Sequence, residues 1–398
     1  MSRASVFVSD ASPPKVAVIG AGAIGLGIGW RLAQAGATVD IFERDSAGRG
    51  ASWTAAGMLA AGVETEPGER ALASLTRESL ERWPGFAAEL EARSGISVEL
   101  RTEGTLAIAT NADEAARLRH EAEFQRSLGI ELRWLTGAEA RRLEPHLAPG
   151  IAAAALSARD IQVDNRQLVT ALARACERAG GRLHEHTRVT RVEIAGERVR
   201  EIRVGDRRHE AEIVVLAAGA WSREIEGLPP EAAPPVRPVK GQMLALQMDA
   251  AAPLLRHVVW APGVYLVPRR NGRLIVGATV EERGFDASLT AGAMLSLLDA
   301  AWRVLPMIED CPIVETWVGF RPGSPDDAPI LGPTAVKGLI LATGHHRNGI
   351  LLTPITADEV SRCILSGETG EVIRPFGIER FHSFARSRHE QDRAPQRV

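Results

Sequence analysis

Close to its N-terminus the chain runs from Lys15-Val16-Ala17-Val18-Ile19-Gly20 into Ala21-Gly22-Ala23-Ile24-Gly25, then into an Ala- and Leu-containing stretch, 26–35, that breaks at Gly36. The continuous apolar, β-branched run suits a strand covered on both faces, and the stretch after the glycines has helical character. A second apolar run, 38–42, ends at Glu43, eighteen residues past Gly25. Together these predict a βαβ unit with the Gly-x-Gly-x-x-Gly turn of dinucleotide-binding folds. Gly20 serves the tight turn, Gly22 the approach of backbone to a pyrophosphate, and Gly25 the close packing of helix on strand. The helix N-terminus at Ala23 and Ile24 turns free N–H groups toward phosphates, and Glu43 accepts hydrogen bonds from an adenosine ribose. A plain turn with a capping acid is the bland alternative, and the motif by itself leaves NAD and FAD undecided.

The remainder of the chain frames that unit. A length of 398 residues points to two domains, or to one large domain with an insertion. A net charge of −3 offers no electrostatic footprint for nucleic acid. Cys176, Cys311 and Cys363 stand apart with no CxxC, so neither a disulfide framework nor a cysteine-based zinc site is expected and a reducing cytoplasm fits. The first fourteen residues lack a basic stretch followed by a long apolar core. No apolar run reaches the ~18–20 residues of a bilayer span. The expectation is a cytoplasmic protein with no stable membrane association. Residues 1–14 and 381–398 read as flexible tails, the second rich in Arg and His.

Periodicity predicts helices over 69–93 (with Pro84 inside), 112–128, 165–179 and 291–305. Strands are expected over 99–110 and 131–135, a hairpin over 189–204 around Gly196, and a fully apolar strand over 212–217 closing on Ala218-Gly219-Ala220-Trp221. From Pro238 the chain turns to alternating strands, 240–247, 258–268 and 273–280, with Asn271-Gly272 as a hairpin signal, and then 313–320. A last buried strand, 338–343, leads through Gly344-His345-His346-Arg347-Asn348-Gly349 into a helix from Ile350 to about Leu365. The fold class is α/β (α+β overall): a Rossmann-like dinucleotide domain built from 15–85, 150–235 and 325–380, with a β-rich substrate domain from 86–149 and 236–324 inserted. Two features favour FAD over NAD. Residues 49–58 carry too many small side chains for an ordinary core helix and suit backbone in close contact with a ligand. The second Gly-flanked turn, 344–351, aims a helix dipole that could face the pyrimidine edge of a flavin, and a nicotinamide enzyme needs only one such turn.

Further motifs follow in order: Pro238-Val239-Lys240-Gly241, Tyr265-Leu266-Val267-Pro268-Arg269, Gly277-Ala278-Thr279 and Gly319-Phe320-Arg321-Pro322-Gly323. With 20–25, Glu43, 52–58 and 344–352 they make the chain, from about 15 to 380, resemble the flavin-dependent amine oxidases of the D-amino-acid oxidase superfamily. Within it the glycine-oxidase branch of thiamin biosynthesis is nearest. The resemblance implies noncovalent FAD in contact with Gly20, Gly22, Ala23, Ile24, Gly25, Glu43, Arg44, Ala51, Ser52, Ala56, Gly57, Met58, Val189, Gly219, His345, Arg347, Asn348, Gly349, Ile350 and Leu351. It assigns Arg321 to the substrate carboxylate, which suits a planar and always charged guanidinium. Composition alone does not single it out: the chain is Arg-rich, with lysine only at 15, 240 and 337. Tyr265, the sole tyrosine, would add a hydroxyl to the same carboxylate, although a lone strand tyrosine is usually a core aromatic. Arg347 would offer its backbone carbonyl to the amino group.

His345 and His346 read as flavin-shell residues rather than metal ligands, no metal site is expected, and His257 would edge the pocket. Thr54 and Gly29 stand where relatives commonly carry Ala, and Cys363 lacks the context of covalent flavin attachment. The implied reaction is oxidation of glycine, with sarcosine, N-ethylglycine and D-alanine as further substrates, by hydride transfer to flavin N5. O₂ would be the acceptor, and an imine would hydrolyse to glyoxylate and ammonia beside hydrogen peroxide. Orientation and electrostatics, with no base at carbon, would carry the rate. A homotetramer is implied by the relatives. The alternatives are a D-amino-acid dehydrogenase passing electrons to a quinone and a noncatalytic flavin-binding subunit.

Overall fold

The computed structural model describes residues 14–64 and 70–381. The tails read at 1–14 and 381–398 therefore lie, apart from Pro14 and Phe381, outside the described residues. Lys15–Ile19 forms the centre of a six-stranded sheet, flanked in parallel by Ile213–Leu216 and Thr38–Phe42. Leu339–Thr343 and Arg182–His184 extend it in parallel on either side, and Ile330–Pro333 closes one edge antiparallel. These strands are apolar because helices cover them. Ala23–Gln34 packs on Asn165–Arg178 and Thr353–Ser366. The approach is close: a Cβ on Gly29 would lie 2.5 Å from Ile41 Cδ1, so the departure from Ala at this position is matched by Ile41 reaching into the gap. The long helix Arg70–Ser94 carries Pro84 inside it and sets Phe86 edge-on to Trp30 and to its own Trp83, with ring centroids 5.4 and 5.6 Å apart. Asp164 caps Asn165–Arg178 by accepting from the N–H groups of Arg166 and Gln167.

The second layer is an eight-stranded sheet in the order Ile313–Gly323, Arg237–Gln247, Arg273–Gly277, Val264–Pro268, Val258–Ala261, Thr105–Ala109, Ala153–Ser157, Arg133–Thr136. All neighbours run antiparallel except Val258–Ala261 with Thr105–Ala109. Alternation divides its faces. Leu244, Leu246, Leu266 and Val276 pack with Leu297 and Ala301 of the helix Ala291–Val304, whereas Met243, Ala245, Val267 and Ile275 face the other way, toward Ala56 and Met58. The sheet is thus clamped between a helix and the nucleotide half of the molecule.

Some boundaries differ from the sequence expectation. The run 258–268 is a hairpin of two strands, split at Pro262-Gly263. The last helix starts at Thr353 rather than Ile350, after a 3-10 turn over His346–Asn348. Ala153–Ser157, in the stretch assigned to the nucleotide half, is hydrogen-bonded in the large sheet against Thr105–Ala109. Its alanines carry little strand preference, so pattern reading passes over it. The helix Gly137–Leu143 is also additional, and its Thr136/Glu139 capping box was a legible start signal. No helix among the described residues is long and apolar enough to cross a membrane.

Two glycines in helices have opposite surroundings. A Cβ on Gly25 would lie 2.0 Å from the Gly20 carbonyl oxygen, while one on Gly85, exposed in the long helix, would meet nothing within 4 Å. Gly25→Ala should therefore lower the thermal midpoint, and Gly85→Ala should raise stability by about 0.5–1 kcal/mol. Thermal unfolding of the two variants side by side checks the pair.

Candidate active site

The C-terminal ends of the parallel strands and the inner face of the eight-stranded sheet enclose a cavity of about 850 Å³. One end is built by the first βα turn. Gly20 has φ +106°, and a Cβ there would lie 2.5 Å from the Ala217 carbonyl oxygen, so the turn accepts only glycine. Glu43 is oriented by main-chain donors: Ala21 N–H to Oε2 at 2.9 Å and Asp45 N–H to Oε1 at 3.1 Å. The Ser52 hydroxyl accepts from Ala23 N–H at 2.9 Å, which ties the helix start to the small-residue segment. Arg44 lies 3.4 Å from the centroid of the Trp221 ring.

That small-residue segment is a single helical turn, Ala51–Thr54, followed by Met58–Leu59 paired with Ile161–Gln162. Its carbonyls are gripped from outside. Asn165 Nδ2 donates to Ser52 O and Trp53 O at 2.8 and 3.0 Å, and Trp317 Nε1 donates to Thr54 O at 3.0 Å. Arg269 Nη2 donates to Ala56 O at 2.6 Å and to Asn165 Oδ1 at 3.0 Å, while Nη1 reaches Gln162 Oε1 at 3.0 Å. Burial pushes Arg269 down to about 10, which leaves it charged at neutral pH. Thr54, the other departure from Ala, faces Gly319, where a Cβ would lie 2.1 Å from the threonine hydroxyl.

At the other end Arg321 and Tyr265 stand together. Arg321 Nη1 donates to Thr279 O at 3.1 Å, and its guanidinium lies over Gly241, where a Cβ would sit 2.6 Å from Nη1. Tyr265 is paired across the sheet with Gly277, and a Cβ on that glycine would be 2.7 Å from the tyrosine hydroxyl. Trp260 stacks beside Tyr265 at 5.7 Å, and the hydroxyl lies 3.7 Å from Met243 Sδ. Burial, opposed by Arg321, pushes the phenol up to about 12, so it remains a donor. Burial holds His345 down to about 3, with Nε2 3.2 Å from Thr356 Oγ1. Burial first, then Arg321 and Arg347, hold His346 down to about 4. Both imidazoles are neutral at pH 7.

The cavity brings together Gly20, Gly22, Ala23, Ile24, Glu43, Arg44, Ala51, Ser52, Ala56, Gly57, Met58, Val189, Gly219, His345, Arg347, Gly349 and Ile350 with Arg321 and Tyr265. Three residues expected to contact the cofactor are not in its lining. Gly25 packs its helix against Gly20, Asn348 is buried, and Leu351 is buried with its carbonyl accepting from Ser79 Oγ and Trp83 Nε1 at 2.6 and 2.9 Å. His257 is also not among the lining residues; its Nδ1 lies 2.6 Å from Glu144 Oε1. Asn165, Arg269 and Trp317 were missed as organisers. The available signal for Arg269 was a charge placed directly after the apolar run 264–268. Arg347 enters with its side chain too: Nη2 donates to Glu64 O at 2.9 Å and Nε lies 3.7 Å from Glu64 Oε2.

The donor set fits FAD: a glycine turn that a Cβ would obstruct, an oriented acid at the end of the second strand, and a long cavity walled by backbone and small side chains. None of the three cysteines is in its lining. No group of three metal-ligating side chains occurs among the described residues.

Residues 15–362 match the family of FAD dependent oxidoreductases abbreviated DAO, and the chain belongs to that family. It is an FAD-dependent oxidoreductase. Over 370 residues it is 38% identical to glycine oxidase of Geobacillus kaustophilus, covering 92% of this chain and 96% of that protein. The solved structure of a glycine oxidase from the same species superposes with a TM-score of 0.86 at 37% identity, covering 92% and 98% of the two chains. The bifunctional protein ThiO/ThiG of Synechocystis is 37% identical over 92% of this chain, which spans 54% of that longer protein. Iminodiacetate oxidase from Chelativorans shares the fold with a TM-score of 0.82 at 26% identity, covering 91% and 98% of the two chains.

Asp160 is wholly buried, accepts from Gly62 and Val63 N–H at 2.8 and 3.2 Å, and is pushed by that burial from 3.8 up to about 6. Its folded form therefore binds its proton more tightly than the unfolded chain does. On this group's account stability is full below about 4 and falls as pH rises toward about 6. Asp160→Asn removes that dependence. The difference in thermal midpoint, variant minus wild type, should therefore grow as pH rises from 4 to 6 and level off above. Melting curves at half-unit pH steps read it directly.

Proposed function

We propose that the enzyme oxidises glycine and small relatives of glycine at the carbon–nitrogen bond, with O₂ as electron acceptor. The observation that carries this reading is the pair Arg321 and Tyr265, two donors side by side in the cavity wall, one permanently charged and the other held protonated. Such a pair suits one carboxylate, bound by the guanidinium fork and a phenol O–H. The likeness to proteins named glycine oxidase supports an amino acid with little or no side chain. The likeness to the ThiO/ThiG protein supports a place in thiamin biosynthesis.

Bound FAD, held by the turn 20–25, Glu43 and the segment 51–58, supplies a two-electron acceptor that O₂ can reoxidise. The chain's own residues do the rest. Arg321 and Tyr265 fix the carboxylate, which fixes the α-carbon. The Arg347 carbonyl accepts a hydrogen bond from the amino group. His345 and His346 are neutral at pH 7 and so add no charge to the cavity wall. In sum, glycine, O₂ and water give glyoxylate, ammonia and hydrogen peroxide. The imine formed by loss of two electrons and two protons takes up the water.

Anaerobic addition of glycine, sarcosine or D-alanine to the yellow protein should bleach the flavin band, and air should restore it with release of peroxide. Bleaching only by larger D-amino acids, or recovery only with a quinone, would replace this reading with that of a dehydrogenase. Arg321→Met should lower kcat/KM for glycine by about a hundredfold or more, and Tyr265→Phe by about tenfold. Steady-state oxygen consumption on both variants checks the order.

A further inference from the structure

Lys240 is enclosed completely in the large sheet, one residue before the Gly241 over which Arg321 lies, yet it is not among the lining residues of the cavity. An ammonium so placed has lost its water and must find partners. Its Nζ donates to Asp286 Oδ2 at 3.0 Å and to Ser288 Oγ at 3.4 Å. Ser288 N–H donates to Asp286 Oδ1 at 2.9 Å, and Ser288 followed by Lys240 holds the Asp286 carboxyl below the usual carboxylate range. Asp286 and Ser288 belong to the irregular segment 279–290, which connects the strand Arg273–Gly277 to the helix Ala291–Val304. The other limb of this segment closes on the same lysine through backbone: Lys240 N–H donates to Glu281 O and Glu281 N–H to Lys240 O, both at 2.9 Å. At the bend Phe285 stacks on Trp221 at 5.0 Å and meets Phe320 edge-on at 5.3 Å. The first residue of the segment, Thr279, supplies the carbonyl that receives Arg321 Nη1 at 3.1 Å.

We propose that Lys240 is a positioning residue for the substrate carboxylate: through Asp286 it fixes the segment 279–290, and with it the Thr279 carbonyl that orients Arg321. This rests on the reading that Arg321 takes the carboxylate. Packing alone does not call for a lysine here, because a buried ion pair contributes little net stability beside an apolar residue of similar volume. Gln242 also ties the segment to the strand, with Nε2 donating to Glu281 Oε1 at 2.8 Å and Oε1 accepting from Thr290 N–H at 2.7 Å. What the ammonium adds is a junction: its backbone holds the limb leading from Thr279 and its side chain holds the limb returning past Phe285. Release of the second limb frees the first to shift, and a small displacement of a guanidinium that must meet a carboxylate in a fixed geometry is costly to binding.

Acetate, a lone carboxylate, reads this site in the flavin-loaded protein through its perturbation of the oxidised flavin spectrum. Arg321→Met should weaken acetate by about a hundredfold or abolish its binding. Lys240→Met should weaken acetate by about fivefold or more and raise KM for glycine by a similar factor, with a smaller loss of kcat. Its thermal midpoint should stay close to that of the wild type, since methionine fills the space of the lysine stem. Lys240→Arg, which keeps the charge, should recover most of the affinity. Amide hydrogen exchange in Lys240→Met should rise in a peptide covering 279–290 and stay at the wild-type level in 258–268 of the same sheet. Asp286→Asn should act in the same direction, and adding it to Lys240→Met should weaken acetate no further. Wild-type acetate affinity in Lys240→Met, or exchange that rises evenly across the sheet, would overturn the proposal. Should Lys240→Met not fold, Asp286→Asn, at the partly exposed end of the pair, decides by the same two readouts. An Arg321→Met variant that loses acetate while Lys240→Met keeps it sinks the role of Lys240 alone. Acetate binding that ignores Arg321 sinks the carboxylate reading itself, and the proposal with it.

Discussion

A guanidinium enclosed in protein is unfavourable unless its N–H groups find acceptors, and Arg269, only 6% exposed, finds three on three different segments. It stands immediately past the strand Val264–Pro268 and reaches the Ala56 carbonyl, Gln162 and Asn165. Asn165 passes the restraint on to the carbonyls of Ser52 and Trp53. One side chain thus ties the eight-stranded sheet to the backbone lining the cavity. Tyr265 lies four residues before Arg269 on that strand, so its position relative to the segment 51–58 is determined by the same contact. Loss of the guanidinium would leave the buried acceptors on Ala56, Gln162 and Asn165 unpaired, a far larger effect than loss of a surface arginine.

Burial also settles which groups in the cavity carry charge. Tyr265 is pushed up to about 12, while His345 and His346 are pushed down to about 3 and 4, so none of them changes state near neutral pH. Arg321 and Arg347 line the same cavity as these three groups. Arginines keep their charge at any working pH. Arg321 therefore brings to the cavity a positive charge that does not depend on titration near neutral pH.

Much of the fold was legible because apolar runs covered on both faces announce themselves. The strands at 15–19, 38–42, 213–216 and 339–343 appear where continuous Val, Ile and Leu predicted them. Ala153–Ser157 was illegible for the opposite reason, since its fully buried alanines owe their strand state to Thr105–Ala109 alongside. Within the site, cavity-lining backbone could be read from glycine spacing, as with Gly20 and Gly22. Residues that act by gripping other backbone could not. Asn165 looks like the first residue of a helix and Trp317 like a strand aromatic, because what each one holds lies far away in sequence. Leu351 follows its neighbours Gly349 and Ile350 in sequence but packs in the core.

The motifs around Arg321 show why spacing could mark the site where composition could not. Gly241, Gly277 and Gly319 sit on neighbouring strands of one sheet, with Gly241 directly opposite Gly319 and Gly277 opposite Tyr265. Each removes a Cβ that would otherwise occupy the place of Arg321, Tyr265 or Thr54. Glycine weakens a strand interior, having no side chain to pack, and a sheet built for stability would carry branched residues at these positions. Here the missing side chains form the space into which the guanidinium and the phenol lie down. What sets Arg321 apart from the chain's many other arginines is therefore a set of absences on adjoining strands, which a sequence displays only as Pro-Val-Lys-Gly, Gly-Ala-Thr and Gly-Phe-Arg-Pro-Gly in the right order.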